Sequence, residues 1–201
     1  GDYESAKADF DKAISMDPKN YDRMIEIYEA LADYGYRKVG QEYLQNVLNT
    51  AKQLDSYDSG RIYYYLGDYQ KAYLALEEAK GKGGVDSYLY LGKAYAATGD
   101  YNYASSVYSN YLSKQGPDAE IYNQLGLCEM AKKDYQKALE AFQAGKQIEG
   151  NSLMQTLSFN EIVAYEYLQD YQKAAVLLKA YLQNYPDDQA AIREQQFLST
   201  R

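Results

Sequence analysis

The chain has 201 residues with 29 acidic against 21 basic side chains, a formal net charge of −8, and it contains 26 Tyr, one Cys and neither His nor Trp. That acidity argues against nucleic acid, whose phosphates need clustered Lys and Arg, and the missing His removes the commonest general base and metal ligand. No run reaches the ~18 apolar residues of a membrane span, and a lone Cys128 forms neither an internal disulfide nor a CxxC pair.

One hexapeptide punctuates the chain. Gly1-Asp-Tyr-Glu-Ser-Ala6 returns as Gly67-Asp-Tyr-Gln-Lys-Ala72, Gly99-Asp-Tyr-Asn-Tyr-Ala104, Lys133-Asp-Tyr-Gln-Lys-Ala138 and Gln169-Asp-Tyr-Gln-Lys-Ala174, with a worn copy at Gly35-Tyr-Arg-Lys-Val-Gly40. The closing residues Ala6, Gly40, Ala72, Ala104, Ala138 and Ala174 stand 34, 32, 32, 34 and 36 residues apart, a period that marks an array of short helical units. The Asp suits a helix N-cap, because its carboxylate accepts free backbone N–H groups. The Gly before it suits the left-handed turn that closes the preceding helix. The small residue one turn later lets two helices approach closely. Lys133 and Gln169 stand where Gly does elsewhere, at a modest cost if the left-handed turn is kept.

In chain order, apolar periodicity predicts a lone helix over 3–15, forming a half-unit at 1–20. Helix pairs follow at 20–34 and 36–53 (unit 21–52), 55–66 and 68–80 (53–84), 85–98 and 100–114 (85–118), 118–131 and 134–147 (119–154), and 152–168 and 170–184 (155–188). A last helix at 187–199 caps the open face of the final pair (189–201). The turns between units are Gly- and Pro-bearing clusters such as Asp17-Pro-Lys-Asn20, Gln115-Gly-Pro-Asp118 and Tyr185-Pro-Asp-Asp188. A single continuous repeat domain is the expectation. Because the chain opens on the second helix of a pair, a segment upstream of Gly1 is expected, and an apolar face around Phe10, Ala13 and Ile14 is expected to be open to a second copy, giving a homodimer.

The unit resembles the tetratricopeptide repeat. The unit at 85–118 carries Tyr88, Leu91-Gly92, Tyr95, Ala104 and Tyr108 before Gly116-Pro117; the next carries Tyr122, Leu125-Gly126, Ala138 and Phe142. Ala6, Phe10 and Pro18 match in the first half-unit, and Tyr165, Ala174, Leu178 and Pro186 in the last full one. The resemblance implies an all-α, right-handed superhelical solenoid: about five full repeats, an N-terminal half-repeat and a C-terminal capping helix. It further implies a concave groove lined by the first helix of each unit, which commonly binds an extended peptide or a partner helix.

Nothing in the inventory points to catalysis or a cofactor. Cys128 lies among apolar neighbours with no His to activate it, and Gly81-Lys-Gly-Gly84 lacks the spacing of a phosphate loop. Projecting the first helices onto the family's concave face places Tyr57, Arg61 and Tyr64 together, then Leu89 and Lys93, then Asn123, Leu127 and Met130, then Phe159, Val163 and Tyr167. The candidate groove residues are Tyr57, Arg61, Tyr64, Leu89, Lys93, Asn123, Leu127, Phe159 and Tyr167, an aromatic stripe with two cations near its middle. A non-catalytic protein- or peptide-binding scaffold is the first expectation. An extracytoplasmic glycan- or cell-wall-binding module is the alternative, since open Tyr rings stack on sugars. The Tyr-, Gln- and Lys-rich acidic style suggests the soluble part of a bacterial surface lipoprotein, with a cytoplasmic adaptor as the other location.

Overall fold

The computed structural model describes residues 3–79 and 81–201. Among these are twelve helices and no strand: α1 (Tyr3–Met16), α2 (Tyr21–Asp33), α3 (Arg37–Thr50), α4 (Ser56–Leu66), α5 (Tyr69–Ala79), α6 (Val85–Ala97), α7 (Tyr101–Gln115), α8 (Ala119–Ala131), α9 (Tyr135–Lys146), α10 (Met154–Tyr167), α11 (Tyr171–Asn184) and α12 (Gln189–Leu198). The fold is therefore all-α, with helices paired as hairpins. The chain, expected from its repeats to be one array, packs as two compact units, residues 1–90 and 91–201, divided within α6. Gly1 and Asp2 of the first hexapeptide, and Lys80 at the end of the predicted helix 68–80, lie outside the described residues.

Helix ends match the expected ones to within one residue, with three exceptions. α3 stops at Thr50 instead of 53, because Ala51 turns extended (ψ 118°). α10 starts at Met154 instead of 152: Asn151 folds the turn before it, accepting the Leu153 N–H at 3.0 Å and donating to the Ile148 carbonyl at 2.7 Å. α12 starts at Gln189 instead of 187, where Asp188 accepts the N–H groups of Ala190 and Ala191.

The hexapeptide builds each hairpin as its chemistry requires. Asp68, Asp100, Asp134 and Asp170 accept the N–H of Lys71, Tyr103, Lys137 and Lys173 at 3.0–3.3 Å. The residue before each is left-handed, Gly67 and Gly99 at φ 82° and 84° and, without a glycine, Lys133 and Gln169 at 64° and 62°. Holding an L side chain there costs about 1–2 kcal/mol, which the closure offsets. Each capping Asp also donates its own N–H to the carbonyl five residues back, as Asp134 does to Glu129 at 2.9 Å. The worn copy keeps the closure, Gly35 at φ 86° and Tyr36 N–H to the Leu31 carbonyl at 2.7 Å, but has no side-chain cap.

Within the first unit, residues 1–90, Ala72 is fully buried and Gly60 on α4 faces Leu76 on α5 so closely that a Cβ would lie 2.5 Å from Leu76 Cγ. The α2–α3 pair reverses these sizes: buried Tyr28 stands on the first helix, and Gly40 on the second leaves room for it, a Cβ there lying 2.9 Å from the ring. Met24, Ile25, Tyr28, Leu44, Val47 and Ile62 join these helices into one core. Helix α1 is tied to them by Arg23 Nη1 on the Ala13 carbonyl at 3.2 Å and by the Tyr43 hydroxyl on Asp11 at 2.5 Å. Phe10, Ala13 and Ile14 are half-buried, and Ala6 is exposed where Ala72 is enclosed.

In the second unit, residues 91–201, the same small-to-large pairing joins Gly92 to Tyr108 and Gly126 to Phe142, with a Cβ at 2.2 and 2.3 Å from the facing rings. Ala104, Ala138 and Ala174 have no exposed surface. Ala191 and Leu198 of α12 cover Ile162, Leu178 and Tyr181, as a cap should.

That cap carries a carboxyl pair. Glu166 on α10 meets Glu194 on α12, and the Glu166 Oε1 is buried without a donor among the described residues. Burial first, then the Glu194 charge, pushes Glu166 from an ordinary 4.5 up to about 7. The raised folded value means that protonation of Glu166 contributes stability in full below about pH 4.5, and that this stability is lost as pH rises through about 7. Glu166→Gln, whose amide stays neutral and donates through N–H at every pH, is expected to gain about 1 kcal/mol over the native chain at pH 8 after allowance for solvent screening. It is expected to gain nothing at pH 4.5. Urea unfolding at the two pH values checks this; an equal effect at both contradicts the raised Glu166 value.

Candidate partner-binding faces

In the first unit the candidate residues divide by burial. Leu89 is 8 % exposed and belongs to the core. Arg61 is 7 % exposed; its Nη1 and Nη2 reach Asp22 at 2.5 Å and Asp58 at 2.6 Å, and its guanidinium lies 4.3 Å from the centre of the Tyr57 ring. It is thus a joint between α2 and α4 instead of a free groove cation. Burial by itself would lower its pKa, but the bonds to Asp22 and Asp58 outweigh this and raise it. Asp58 moves up, because burial outweighs its bond to Arg61. Tyr57, half-buried beside them, is pushed by burial to about 12.

Tyr64 is the candidate that leads into an open site. Its ring meets those of Tyr65, Tyr69 and Tyr90 at centroid separations of 5.4, 5.7 and 5.6 Å and interplanar angles of 56–79°. Tyr65 lies also against Tyr28 at 5.1 Å and Tyr90 at 5.8 Å. Inclined rings of this kind place edges on faces, the favoured arrangement of aromatic quadrupoles. The Tyr65 hydroxyl donates to Glu29 Oε1 at 2.5 Å and shares a 2.9 Å hydrogen bond with the Tyr90 hydroxyl. Burial raises the pKa of all three phenols, Tyr64, Tyr65 and Tyr90. Beside the rings a cleft of about 430 Å³ opens, lined by Tyr28, Glu29, Ala32, Asp33, Arg37, Tyr64, Tyr65 and Tyr69. Glu29, Asp33 and Arg37 at its edge are exposed. Sequence projection named Tyr64 here but missed Tyr65, Glu29 and Asp33. The i, i+4 spacing of Glu29 and Asp33 was a usable signal; the pairing of their face with Tyr65 was not.

In the second unit, Lys93 Nζ lies 3.5 Å from Glu120. Asn123 is 5 % exposed and accepts from Asn160 at 2.9 Å, an internal bond. Phe159 is half-buried and packs on Tyr181 at 5.6 Å. Leu127 and Tyr167, 42 % and 58 % exposed, are the candidates that face solvent, and Tyr167 stacks on Tyr135 at 4.9 Å and 28°. Nearby, buried Glu161 is satisfied by Lys146 at 2.6 Å and Gln143 at 2.9 Å, whereas buried Glu129 accepts from Lys132 at 2.8 Å through Oε1 and its Oε2 has no donor among the described residues.

Cys128 is buried, and burial, aided by Glu129, pushes its thiol up to about 11, the opposite of an activated nucleophile. Among the described residues no group of three or more Cys, Asp or Glu is placed to hold a metal ion, and no helix is long and apolar enough to cross a membrane.

Comparison with known proteins agrees with this architecture. Solved structures similar in fold include YrrB, described as a tetratricopeptide-repeat protein with an unusual peptide-binding site, at 20 % identity over 93 % of this chain and 97 % of that one with a TM-score of 0.60. The thermophilic protein TTC0263 of Thermus thermophilus matches at 15 % identity over 90 % and 100 % with a TM-score of 0.68. MamA from Desulfovibrio magneticus matches at 18 % identity over 85 % and 98 % with a TM-score of 0.59. No curated protein sequence matches the chain significantly. Family models described as the tetratricopeptide repeat match residues 1–20, 89–152 and 159–188. With the capped hairpins and the Gly-to-aromatic packing that recur through both units, these matches establish that the chain belongs to the tetratricopeptide-repeat family.

Proposed function

We propose that the chain is a non-catalytic scaffold that holds a protein or extended peptide on the exposed faces of its first helices. The observation that carries this reading is the open tyrosine cluster at the α2–α4 cleft, where half-buried rings keep one side in contact with water. Tyr side chains of this kind bury a large area on binding while keeping a polar handle, and they are enriched at binding hot spots. Tyr167 and Leu127 are further large apolar side chains open to solvent in residues 91–201. The similar fold of YrrB, with its peptide-binding site, supports the reading at the level of architecture.

The test is selection from a random peptide library, followed by fluorescence anisotropy on the enriched sequences. The variants are Tyr167→Ala, at a side chain 58 % exposed, and Tyr64→Ala, at a half-buried ring packed on Tyr65, Tyr69 and Tyr90; circular dichroism and urea unfolding check that each keeps the fold. One of them is expected to weaken the selected peptides about 30-fold, the loss of a hot-spot side chain. An empty selection, or peptides indifferent to both changes, overturns the proposal.

A further inference from the structure

The geometry points to the α2–α4 cleft as a pocket for a cationic side chain, an arginine or lysine of the bound peptide. This deepens the scaffold reading and rests on it. The first unit already shows the chemistry within its own chain: Arg61 lies over the Tyr57 ring at 4.3 Å while two carboxylates, Asp22 and Asp58, hold its nitrogens. The cleft offers the same set of groups to solvent, with the Tyr64 and Tyr65 rings as walls and Glu29 and Asp33 at the edge.

Three features favour a cation over other guests. The ring faces are negative poles of the aromatic quadrupole and attract ammonium and guanidinium groups. The lining carries two carboxylates against one guanidinium, Arg37, and that guanidinium is engaged with the Tyr28 hydroxyl at 3.1 Å. The Tyr65 hydroxyl, braced by Tyr90, fixes one oxygen of Glu29, so the carboxylate is oriented before any guest arrives. The cleft volume of about 430 Å³ falls in the range of roughly 300–1,000 Å³ that accepts small molecules and single side chains. A chain of net charge −8 also draws basic peptides toward it over long range.

The experiment is an NMR titration of the tyrosine ring resonances with three capped tripeptides, Gly-Arg-Gly, Gly-citrulline-Gly and Gly-Glu-Gly. The arginine peptide is expected to shift Tyr64 and Tyr65 saturably and to bind about tenfold tighter than its neutral citrulline isostere. Raising NaCl from about 50 to 500 mM is expected to erase most of that difference. The double variant Glu29→Gln/Asp33→Asn, which preserves shape, is expected to erase it at low salt. Equal binding of the arginine and citrulline peptides, tighter binding of the glutamate peptide, or an unaffected double variant overturns the assignment. The two readings fail separately. Library peptides that need Tyr64 but lack basic residues sink the cation pocket and leave the scaffold; a cation-selective titration beside an empty library selection does the reverse.

Discussion

Phe142→Ala is expected to cost about 3–5 kcal/mol of unfolding free energy, the range for deleting a buried aromatic ring. Phe142 has no exposed surface and sits in the notch left by Gly126, touching a core of Ala138, Leu139, Leu157 and Ala164. Both the transfer of the ring and the cavity left behind contribute, because backbone on two hairpins defines the space and cannot collapse into it. Against a typical total of ~5–15 kcal/mol, that is a large share. The reciprocal change, Gly126→Ala, places a Cβ 2.3 Å from the ring and should also destabilise. Combined as Gly126→Ala/Phe142→Leu, the two are expected to cost less than the sum of the single changes, because the smaller side chain makes room for the methyl. Urea unfolding followed by circular dichroism measures all of them; a Phe142→Ala effect below about 1 kcal/mol, or strict additivity in the pair, contradicts the packing described.

The hairpins were legible because their chemistry is local. An Asp that caps, a left-handed residue before it and an Ala one turn later act over six consecutive positions, so the repeated hexapeptide sufficed. It worked even at Lys133 and Gln169, where the closure overrides the preference for glycine. The Gly-to-aromatic contacts were legible at one remove, since Gly92 and Tyr108, or Gly126 and Phe142, recur at fixed offsets. Helix ends failed only where a non-repeated turn intervened, as at Ala51 and Asn151.

The candidate site was legible only as faces. A helical projection puts Tyr57, Arg61 and Tyr64 on one face, but it cannot say what a neighbouring hairpin puts against them: Arg61 lies over Tyr57, whereas Tyr64 packs with Tyr65, Tyr69 and Tyr90. Arg61 meets Asp22, 39 residues away, and Tyr65 meets Glu29, 36 residues away. Those pairings join residues outside the repeated hexapeptide, so no periodic argument reaches them. The same limit explains why Asn123 and Leu89 were expected in a groove and are instead enclosed.

Arg61→Met separates the joint from the groove. The substitution keeps length and apolar packing but strips two carboxylates of their partner. Asp22, with its side chain 73 % exposed, returns to water at little cost, whereas Asp58, 20 % exposed, does not. Removing one member of a buried pair costs about 3–5 kcal/mol when both are enclosed, and with one of the two aspartates open the expected loss is about 2 kcal/mol at pH 7. Its pH dependence follows from Asp58. Burial already raises that carboxyl and Arg61 opposes the rise; without Arg61 it climbs further. A raised folded value favours the protonated native state, so the associated stability is complete below the unfolded value near ~3.9 and is lost as pH rises through the folded value. The deficit of the variant should therefore shrink on acidification toward about pH 4, and adding Asp58→Asn should flatten it. Thermal and urea unfolding between those limits, with peptide binding measured beside them, decides the role of Arg61. A variant as stable as the native chain that no longer binds its peptides would make Arg61 a contact residue; a destabilised variant that still binds them makes it the strut between α2 and α4 that holds the tyrosine cleft in shape.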